Sequence, residues 1–236
     1  MTKPVVNIIL TGKVKRMGSP DAEDRMERPW KSGIFKTQVD GDQWIGFEGF
    51  VKDEIADKKA HGGPEKAVFA YPAKHYAHWR EDLNIDDIGV GAMGENLSLE
   101  NVDETSVCIG DTYRFGDSIL QVSQPRRPCW KPARRFRVMD FALKIQNSGL
   151  TGWYYRVLQE GYAGAGMEME LIDRPHPEWT IAACNEVMYV RKRDLDLAEQ
   201  LATCDLLAPN WKKSLNKRLQ GKQSSDAKRV YGPNKV

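Results

Sequence analysis

One cysteine stands in a segment whose residue types could make its thiol reactive. The segment reads Gln124-Pro125-Arg126-Arg127-Pro128-Cys129-Trp130-Lys131. Its two prolines fix φ and remove two backbone donors, so we expect a stiff, non-helical loop. No acidic residue occurs between Asp117 and Asp140, a window that contains six cations: Arg126, Arg127, Lys131, Arg134, Arg135 and Arg137.

Clustered cations favour the thiolate form of a cysteine, which is both a nucleophile and a soft metal ligand. Arginines in the same loop could also hold a phosphorylated ligand through bidentate contacts. The alternative interpretation is a buried structural cysteine that lies beside a solvated basic face. The local composition leaves both interpretations open.

The elements around this loop are predicted to be a strand before it and a helix after it. The strand covers 118–123, and the helix begins near Pro132 and continues to Gln146. Further short strands are predicted at 107–109 and 113–115, and their spacing is typical of a β-barrel or sandwich. Asp40-Gly41 between two strand-like runs predicts a hairpin.

A change of character near 175 predicts a domain boundary. We expect a β-barrel domain over 1–175 and a three-helix domain with a loose tail over 176–236, the tail beginning after Gly221. The helical runs fall at about 180–190, 194–204 and 210–220. In the last run Trp211, Leu215 and Leu219 share one helix face, which needs a partner surface.

Composition bounds the protein class. Of 236 residues, 41% are hydrophobic and 29% charged, and the formal net charge is +2, which is typical of a globular protein and gives no global attraction to polyanions. The four cysteines, Cys108, Cys129, Cys184 and Cys204, form no CxxC pair. Without a signal peptide or a long apolar run, the sequence predicts a reduced, cytoplasmic chain that makes no membrane contact.

Several motifs together resemble one family. In chain order they are Lys59-Ala60-His61-Gly62-Gly63, Gly94-Glu95-Asn96-Leu97, Gly110-Asp111 and the cysteine segment 124–129. This order is similar to that of MOSC domains, which are related to the C-terminal part of molybdenum cofactor sulfurase. The stretch 146–149, the pair Gly152-Trp153 and the helical tail narrow the resemblance to the YiiM-like branch, over roughly 34–221. Glu65-Lys66 departs from the Asp-Arg pair expected there.

The resemblance implies a fold, a cofactor and an activity. The fold is mainly β with α: a bent, closed β-barrel of the MOSC, pyruvate-kinase barrel-like type, with a C-terminal three-helix domain. The cofactor is molybdenum-molybdopterin, with Cys129 as catalytic residue and protein ligand to molybdenum. The activity is reduction of small N-hydroxylated compounds, such as base analogues, for detoxification, with electrons from a separate reductase. The implied cofactor-binding residues are Lys59, His61, Gly62, Gly63, Asn96, Gln124, Arg126, Arg127, Lys131 and Trp153.

Three other functions compete with this one. The chain could be a non-catalytic carrier of the molybdenum cofactor or of sulfur, which would show no turnover. A nucleic-acid binder is disfavoured by the near-neutral charge and the lack of a nucleic-acid motif. A cysteine hydrolase would pair Cys129 with His61, His75 or His78, and the sequence fixes none of these contacts.

A homodimer is one arrangement that would cover the apolar faces of the tail helices.

Overall fold

The computed structural model describes residues 3–222 and 225–235. Strands in this part of the chain are β1 (Val5–Thr11), β2 (Lys15–Met17), β3 (Trp30–Ser32), β4 (Thr37–Gln38), β5 (Gln43–Gly46), β6 (Gly49–Phe50), β7 (Val68–Pro72), β8 (Leu97–Glu100), β9 (Thr112–Phe115), β10 (Ser118–Pro125), β11 (Trp153–Gln159), β12 (Gly161–Ala163) and β13 (Glu170–Asp173). Eight of them form one sheet in the order β13-β9-β10-β11-β7-β8-β1-β4. The β7–β8 pair is parallel, and its neighbours in the sheet are antiparallel.

The large sheet curls until its two ends approach each other. Residues just before β13 bond to the start of β1: the Val6 amide donates to the Met167 carbonyl at 3.0 Å, and the Met169 amide donates to the Pro4 carbonyl at 2.8 Å. These bonds bring one end of the sheet, at β13, against β1, which lies next to the other end strand, β4, and so bend the sheet strongly into a barrel. The predicted fold class, mainly β with C-terminal helices, is confirmed.

Helices follow the strands mainly in the second half of the chain. They are α1 (Lys58–His61), α2 (His75–Leu83), α3 (Lys131–Phe136), α4 (Phe141–Ser148), α5 (Ile181–Asn185), α6 (Leu195–Thr203), α7 (Pro209–Leu219) and α8 (Ala227–Val230). A π-helical segment, Glu186–Val190, continues α5. Within the described ranges, no helix combines the length and apolarity needed to cross a membrane.

The predicted tail helices form because each has a start signal and one apolar face. Thr180 accepts a hydrogen bond from the Ala183 amide at 3.0 Å, and Asp194 accepts one from the Leu197 amide at 3.0 Å, which caps α5 and α6. Pro209 stands in the first turn of α7, where a missing amide costs nothing.

One hydrophobic core joins the barrel to these helices. Val122 and Tyr155 of the barrel belong to the same buried cluster as Leu201, Trp211 and Leu215. The partner surface that the apolar face of α7 needs is therefore the barrel itself. A second cluster, which includes Phe69, Trp79 and Phe141, lies beneath α2 and α4.

Three local predictions differ from the structure. The helix predicted to run from Pro132 to Gln146 is two helices, because Arg137 adopts a left-handed conformation at φ 56°. The strands beside Asp40-Gly41 pair not with each other but with β1 and β12. The tail predicted to be loose is packed where it is described, since Val230 is only 2% exposed.

Candidate functional site

The cysteine segment forms the predicted stiff loop between β10 and α3. Its entry is fixed by two hydrogen bonds: the Arg126 amide donates to the Gly152 carbonyl at 3.0 Å, and the Trp211 indole donates to the Pro125 carbonyl at 3.1 Å. Cys129 is 9% exposed at the end of this loop. The thiol is therefore held in place but lies at the wall of a cavity.

The cavity lies where loops from several parts of the chain converge. Five residues proposed from the sequence line it: His61, Asn96, Arg126, Cys129 and Lys131. Two further lining residues, Lys66 and Gly94, stand in motifs noted in the sequence but were not proposed as site residues. The remaining lining residues had no signal in the sequence, namely Ser32, Gly33, Ile34, Lys36, Asp53, Glu54, Ile55, Ala56, Ala67, Phe69, Met93 and Tyr154. The cysteine loop and the histidine loop thus meet at the cavity.

The Cys129 thiol is acidic because of its neighbours. Burial alone raises the pKa of this thiol, but His61 beside it, Arg126 and the Lys131 amide all stabilise the thiolate. Together they lower the pKa of Cys129 to about 6. An ionised thiolate is the form that binds metals and attacks electrophiles.

Arg126 is a buried cation with spare donor capacity. Its guanidinium lies 5.0 Å from the centroid of the Phe69 ring, and Nη2 donates to the Met93 carbonyl at 3.4 Å. Nη1 is buried and finds no hydrogen-bond partner among the residues that the structure describes. A buried donor without a partner is costly, so the cavity favours an anionic or carbonyl ligand at this point.

A buried ion pair that also lines the cavity was not foreseen from the sequence. Lys36 Nζ lies 2.6 Å from Asp53 Oδ2, with the two side chains 7% and 8% exposed. Burial lowers the pKa of Lys36, although Asp53 and Glu95 partly oppose this effect. The carboxylate also accepts from Asn96 Nδ2 at 3.0 Å. The pair joins residues distant in sequence, which is why no local pattern revealed it.

Asn96, which was expected to bind the cofactor, uses its side-chain amide for hydrogen bonds within the protein. Its Oδ1 accepts from the Phe69 amide at 3.1 Å, and its Nδ2 donates to the Leu10 carbonyl at 3.2 Å in addition to Asp53. These bonds tie β1 to β7 beside the cavity. Asn96 therefore fixes the position of the lining and has little capacity left for a ligand.

Trp153, which the resemblance implied as a cofactor-binding residue, does not line the cavity. It is fully buried in the barrel core, with no exposed surface. Side chains alternate across a strand, and the next residue on β11, Tyr154, is the one that lines the cavity. The ring centroid of Tyr154 lies 5.1 Å from that of Phe69, and burial raises the pKa of its hydroxyl to about 12.

Five further predicted residues also lie off the cavity wall. Lys59 is exposed on α1, and Gln124 is buried and donates to the Glu65 carbonyl at 3.0 Å. Arg127 turns toward the C-terminal helices, where Nη1 donates to Ser214 Oγ at 2.9 Å. Gly62 and Gly63 form the turn after His61.

Gly63 has a specific geometric reason to be glycine. Its φ is +89°, in the region that L side chains rarely adopt, and a Cβ there would meet no atom within 4 Å. The conformation, not crowding, selects the residue. The turn aims His61 back toward Cys129 and begins the short 3-10 helix Pro64–Lys66.

The Glu65-Lys66 departure from the family pattern is accommodated within the fold. Arg156 of β11 donates to both carboxylate oxygens of Glu65, from Nε at 3.1 and 3.2 Å. Lys66 Nζ donates to the Ala60 carbonyl at 2.5 Å and also lines the cavity. The acidic position is thus structural, and the basic one remains beside the ligand space.

Only two of the six cations around Cys129 line the cavity, Arg126 and Lys131. Arg134 and Arg135 donate to backbone carbonyls of neighbouring loops, and Arg137 pairs with an acidic side chain at the surface. The basic window is therefore partly a site and partly structural support.

A second group of possible metal ligands lies elsewhere, at the turn between α6 and α7. It contains His176, Cys204 and Asp205. The imidazole already faces two carboxylates, Asp205 at 2.8 Å and Glu178 at 3.5 Å. An exposed ion pair accounts for this arrangement without a metal.

Comparisons with known proteins agree with this geometry. The MOSC domain model matches residues 57–170, and the model of the YiiM-like, 3-alpha helix domain matches residues 179–222. The uncharacterized protein YflK of Bacillus subtilis is 36% identical over 202 residues, 86% of this chain and 91% of that protein. The protein YiiM of Escherichia coli is 37% identical over 204 residues, 85% of this chain and 91% of that protein.

A longer relative and two solved structures extend the comparison. A protein named reductase from Gibberella moniliformis is 38% identical over 179 residues, which are 75% of this chain but 31% of that protein. The crystal structure of YiiM from Geobacillus stearothermophilus superposes with a TM-score of 0.76 at 32% identity, covering 92% of this chain and 99% of its own. That of YiiM from Escherichia coli gives 0.76 at 31% identity, covering 83% and 94%.

Proposed function

The chain belongs to the MOSC family, in its YiiM-like branch, and from this membership and the cavity around Cys129 we propose that it is a molybdenum-cofactor-dependent reductase of N-hydroxylated compounds. The observation that carries the proposal is the Cys129 thiol, whose pKa is lowered to about 6 at the wall of a cavity lined by cations. A thiolate suits a soft metal centre.

The residues present fit the proposed cofactor. Its pterin part ends in a phosphate, and the cavity offers the unpartnered Nη1 of Arg126 together with Lys66 and Lys131. Phe69 and Tyr154 supply aromatic surface next to these cations. Cys129 would ligate the metal, Arg126 and the lysines would hold the phosphate, and the aromatic pair would contact the flat ring system.

The reaction takes an N-hydroxylated compound, two electrons and two protons, and yields the amine and water. The bound cofactor supplies the two-electron chemistry. His61 lies beside Cys129, and an imidazole can carry a proton near neutral pH. Its ring is therefore the group of this chain that we assign to deliver a proton to the departing hydroxyl.

The electrons come from a separate reductase. The relative named reductase is about three times longer than its matched segment, since this chain covers 31% of it. That relative is named a reductase, and only part of it resembles this chain. This supports the proposal that a segment like this chain works together with a reductase module. The same partner would have to deliver electrons to the cavity from outside, and Glu54, one of the residues that line the cavity, is exposed to solvent.

Cys129→Ser tests the proposal. The variant should lose molybdenum and all reduction of a hydroxylamine-type substrate supplied with a chemical reductant, while Cys108→Ser should keep both. Wild-type turnover in Cys129→Ser would overturn the role of the thiol. A wild-type protein that binds molybdenum yet never turns over would instead be a carrier of the cofactor.

The nearness of His61 to Cys129 also raises the question of a cysteine hydrolase. Such enzymes orient the histidine with a third side chain. Among the described residues, the histidine rings that hydrogen-bond to a carboxylate are those of His75 and His176, not that of His61. A chromogenic ester assay separates the two functions, and we expect no Cys129-dependent hydrolysis.

A further inference from the structure

Residues 225–235, which we call the C-terminal strap, return from the tail helices to the cysteine loop. The strap contains α8 and a short 3-10 helix, Gly232–Asn234. Two of its side chains are buried against the rest of the protein: Val230 is 2% exposed and Asn234 is 4% exposed. The strap lies beyond the residues matched by the helix-domain model, which end at 222.

One residue of the strap bonds to the backbone on both sides of Cys129. The carbonyl of Arg229 accepts from the Trp130 amide at 2.9 Å. The guanidinium of Arg229 donates from Nη1 to the Pro128 carbonyl. Pro128 and Trp130 stand immediately before and after Cys129. Arg229 alone therefore fixes the two peptide groups on either side of Cys129.

The Arg229 guanidinium is itself held rigidly. Nη2 donates to Gln146 Oε1 at 2.6 Å, and Nε donates to Asp226 Oδ1 at 3.2 Å. Asp226 accepts a further bond from Arg127 Nη2 at 3.2 Å, which links the strap to the loop a second time. Gln146 lies on α4 and is only 8% exposed. All three donor nitrogens of Arg229 are thus engaged.

The strap also packs tightly on the residue after the cysteine. A Cβ built on Gly232, at φ +50°, would stand 2.2 Å from the Trp130 ring. Asn234 Oδ1 accepts from Arg134 Nε at 2.6 Å, just inside α3. The strap therefore touches the loop, the first helix after it and the helix α4, which leaves little room for the loop to shift.

We propose that Arg229 is a positioning residue for the cysteine loop: by fixing the peptide groups on both sides of Cys129, it keeps the thiol beside His61 and Arg126. The proposal depends on the proposed function only for what the thiol binds. It also explains why the Gln146-Asn147-Ser148-Gly149 stretch begins with a glutamine, since the Gln146 side chain accepts a hydrogen bond from the Arg229 guanidinium.

Arg229 acts through geometry rather than through its own charge. The groups that stabilise the thiolate are His61, Arg126 and the Lys131 amide. All three depend on where the loop places the sulfur. If the loop loosens, the thiol drifts from these groups and its ionisation moves toward that of an ordinary cysteine.

The test measures ionisation and metal binding separately. The full-length chain, produced in a host that cannot make the cofactor, is alkylated with iodoacetamide between pH 4.5 and 9, and Cys129 modification is followed by peptide mass spectrometry. Arg229→Ala should raise the midpoint by about one pH unit. Arg229→Lys keeps a long cationic side chain that can donate to the Pro128 carbonyl, so its midpoint should lie close to that of the wild type. Greater access alone would change the plateau rate and leave the midpoint unchanged.

Lys228→Ala is the matched control, because it removes an exposed cation from the same helix. Its midpoint should equal that of the wild type. If Arg229→Ala does not fold, Gln146→Met removes the anchor of the guanidinium without removing the arginine and should shift the midpoint in the same direction. A folded Arg229→Ala or Gln146→Met with an unchanged midpoint overturns the proposal.

Molybdenum content of the same variants, made in a host that supplies the cofactor, separates this proposal from the proposed function. Arg229→Ala should bind less molybdenum than Lys228→Ala. A wild-type protein without molybdenum would contradict the proposed function, while the alkylation midpoints would still decide the role of Arg229.

Discussion

Two regions of the protein bury cysteines and give them opposite properties. At the cavity, Cys129 has its pKa lowered to about 6. Where the barrel meets the tail helices, burial raises the pKa of Cys108 to about 11 and also raises the pKa values of Cys184 and Cys204. Burial is common to both regions, so the difference comes from the cationic and hydrogen-bonding partners, which outweigh burial at Cys129 but not at Cys108, where Arg174 opposes it, or at Cys204. The acidity of a cysteine in this protein therefore follows its charged and hydrogen-bonding neighbours rather than its exposure.

The largest expected effect is selective alkylation of Cys129. At pH 7 its thiolate fraction exceeds that of a thiol with a pKa of about 11 by roughly 10⁴-fold, and the weaker nucleophilicity of a low-pKa thiolate cancels about 10² of this. Cys129 should therefore react about 100-fold faster than Cys108 with iodoacetamide. Its rate should fall as the pH drops through 6, because the thiolate is then protonated. Equal rates at the two sites would remove the contrast between the regions.

Arg126→Ala tests whether the cations of the cavity hold the cofactor. A charge-assisted hydrogen bond contributes about 1.5–3 kcal/mol, so cofactor affinity should fall about 10- to 100-fold. Metal analysis of the purified variant gives the answer. Arg137→Ala is the matched control, since its guanidinium lies at the surface, where it pairs with Glu27. Equal losses in both variants would mean that the orientation of the two arginines does not matter.

His61→Asn should reduce the difference in pKa between Cys129 and the other cysteines, with a smaller effect than the two preceding experiments. It removes the neighbour that stabilises the thiolate most, so the pKa of Cys129 should rise by about one unit, which lowers the thiolate fraction at pH 6 about five-fold. The pH profile of alkylation measures this shift. His78→Asn, at an exposed position on α2, should leave the profile unchanged. An unshifted His61→Asn would assign the acidity to Arg126 and the loop backbone.

Lys59→Ala should have the smallest effect. The sequence placed this lysine among the residues that bind the cofactor, but it is exposed on α1 and outside the cavity. We expect less than about a two-fold change in molybdenum content, as for exposed charges in general. A loss comparable to that of Arg126→Ala would show that α1 moves toward the cavity when the cofactor binds.

Local patterns predicted the parts of the site that are local in the chain. The loop at 124–131 followed from its prolines, and the tail helices followed from their helix-like runs, the last of which has one apolar face. The mainly β class followed from short strands with glycine turns. These features depend on neighbours within about ten residues, which the sequence displays directly.

What the sequence did not reveal depends on distant contacts or on a choice between two faces. Trp153 and Tyr154 are adjacent aromatics on β11, and a shift of one residue decides which of them meets the cavity. Lys36 and Asp53 reach the cavity from a loop region with no recognisable motif. Which of three histidines lies beside Cys129 was open until the turn at Gly62 and Gly63 was placed in three dimensions.

The strap also has a consequence for the order of events during synthesis. Arg229 is 101 residues from Pro128 in the chain, yet it completes the loop around Cys129. At translation rates of about 5–20 residues per second, roughly 5–20 s separate the two on the ribosome. During that interval the barrel strands can already pair, but the loop that carries Cys129 is not yet held in position by Arg229. The nascent chain is then open to adventitious oxidants and metals at Cys129, and a loading factor that recognised the finished loop could act only after Arg229 had emerged from the ribosome.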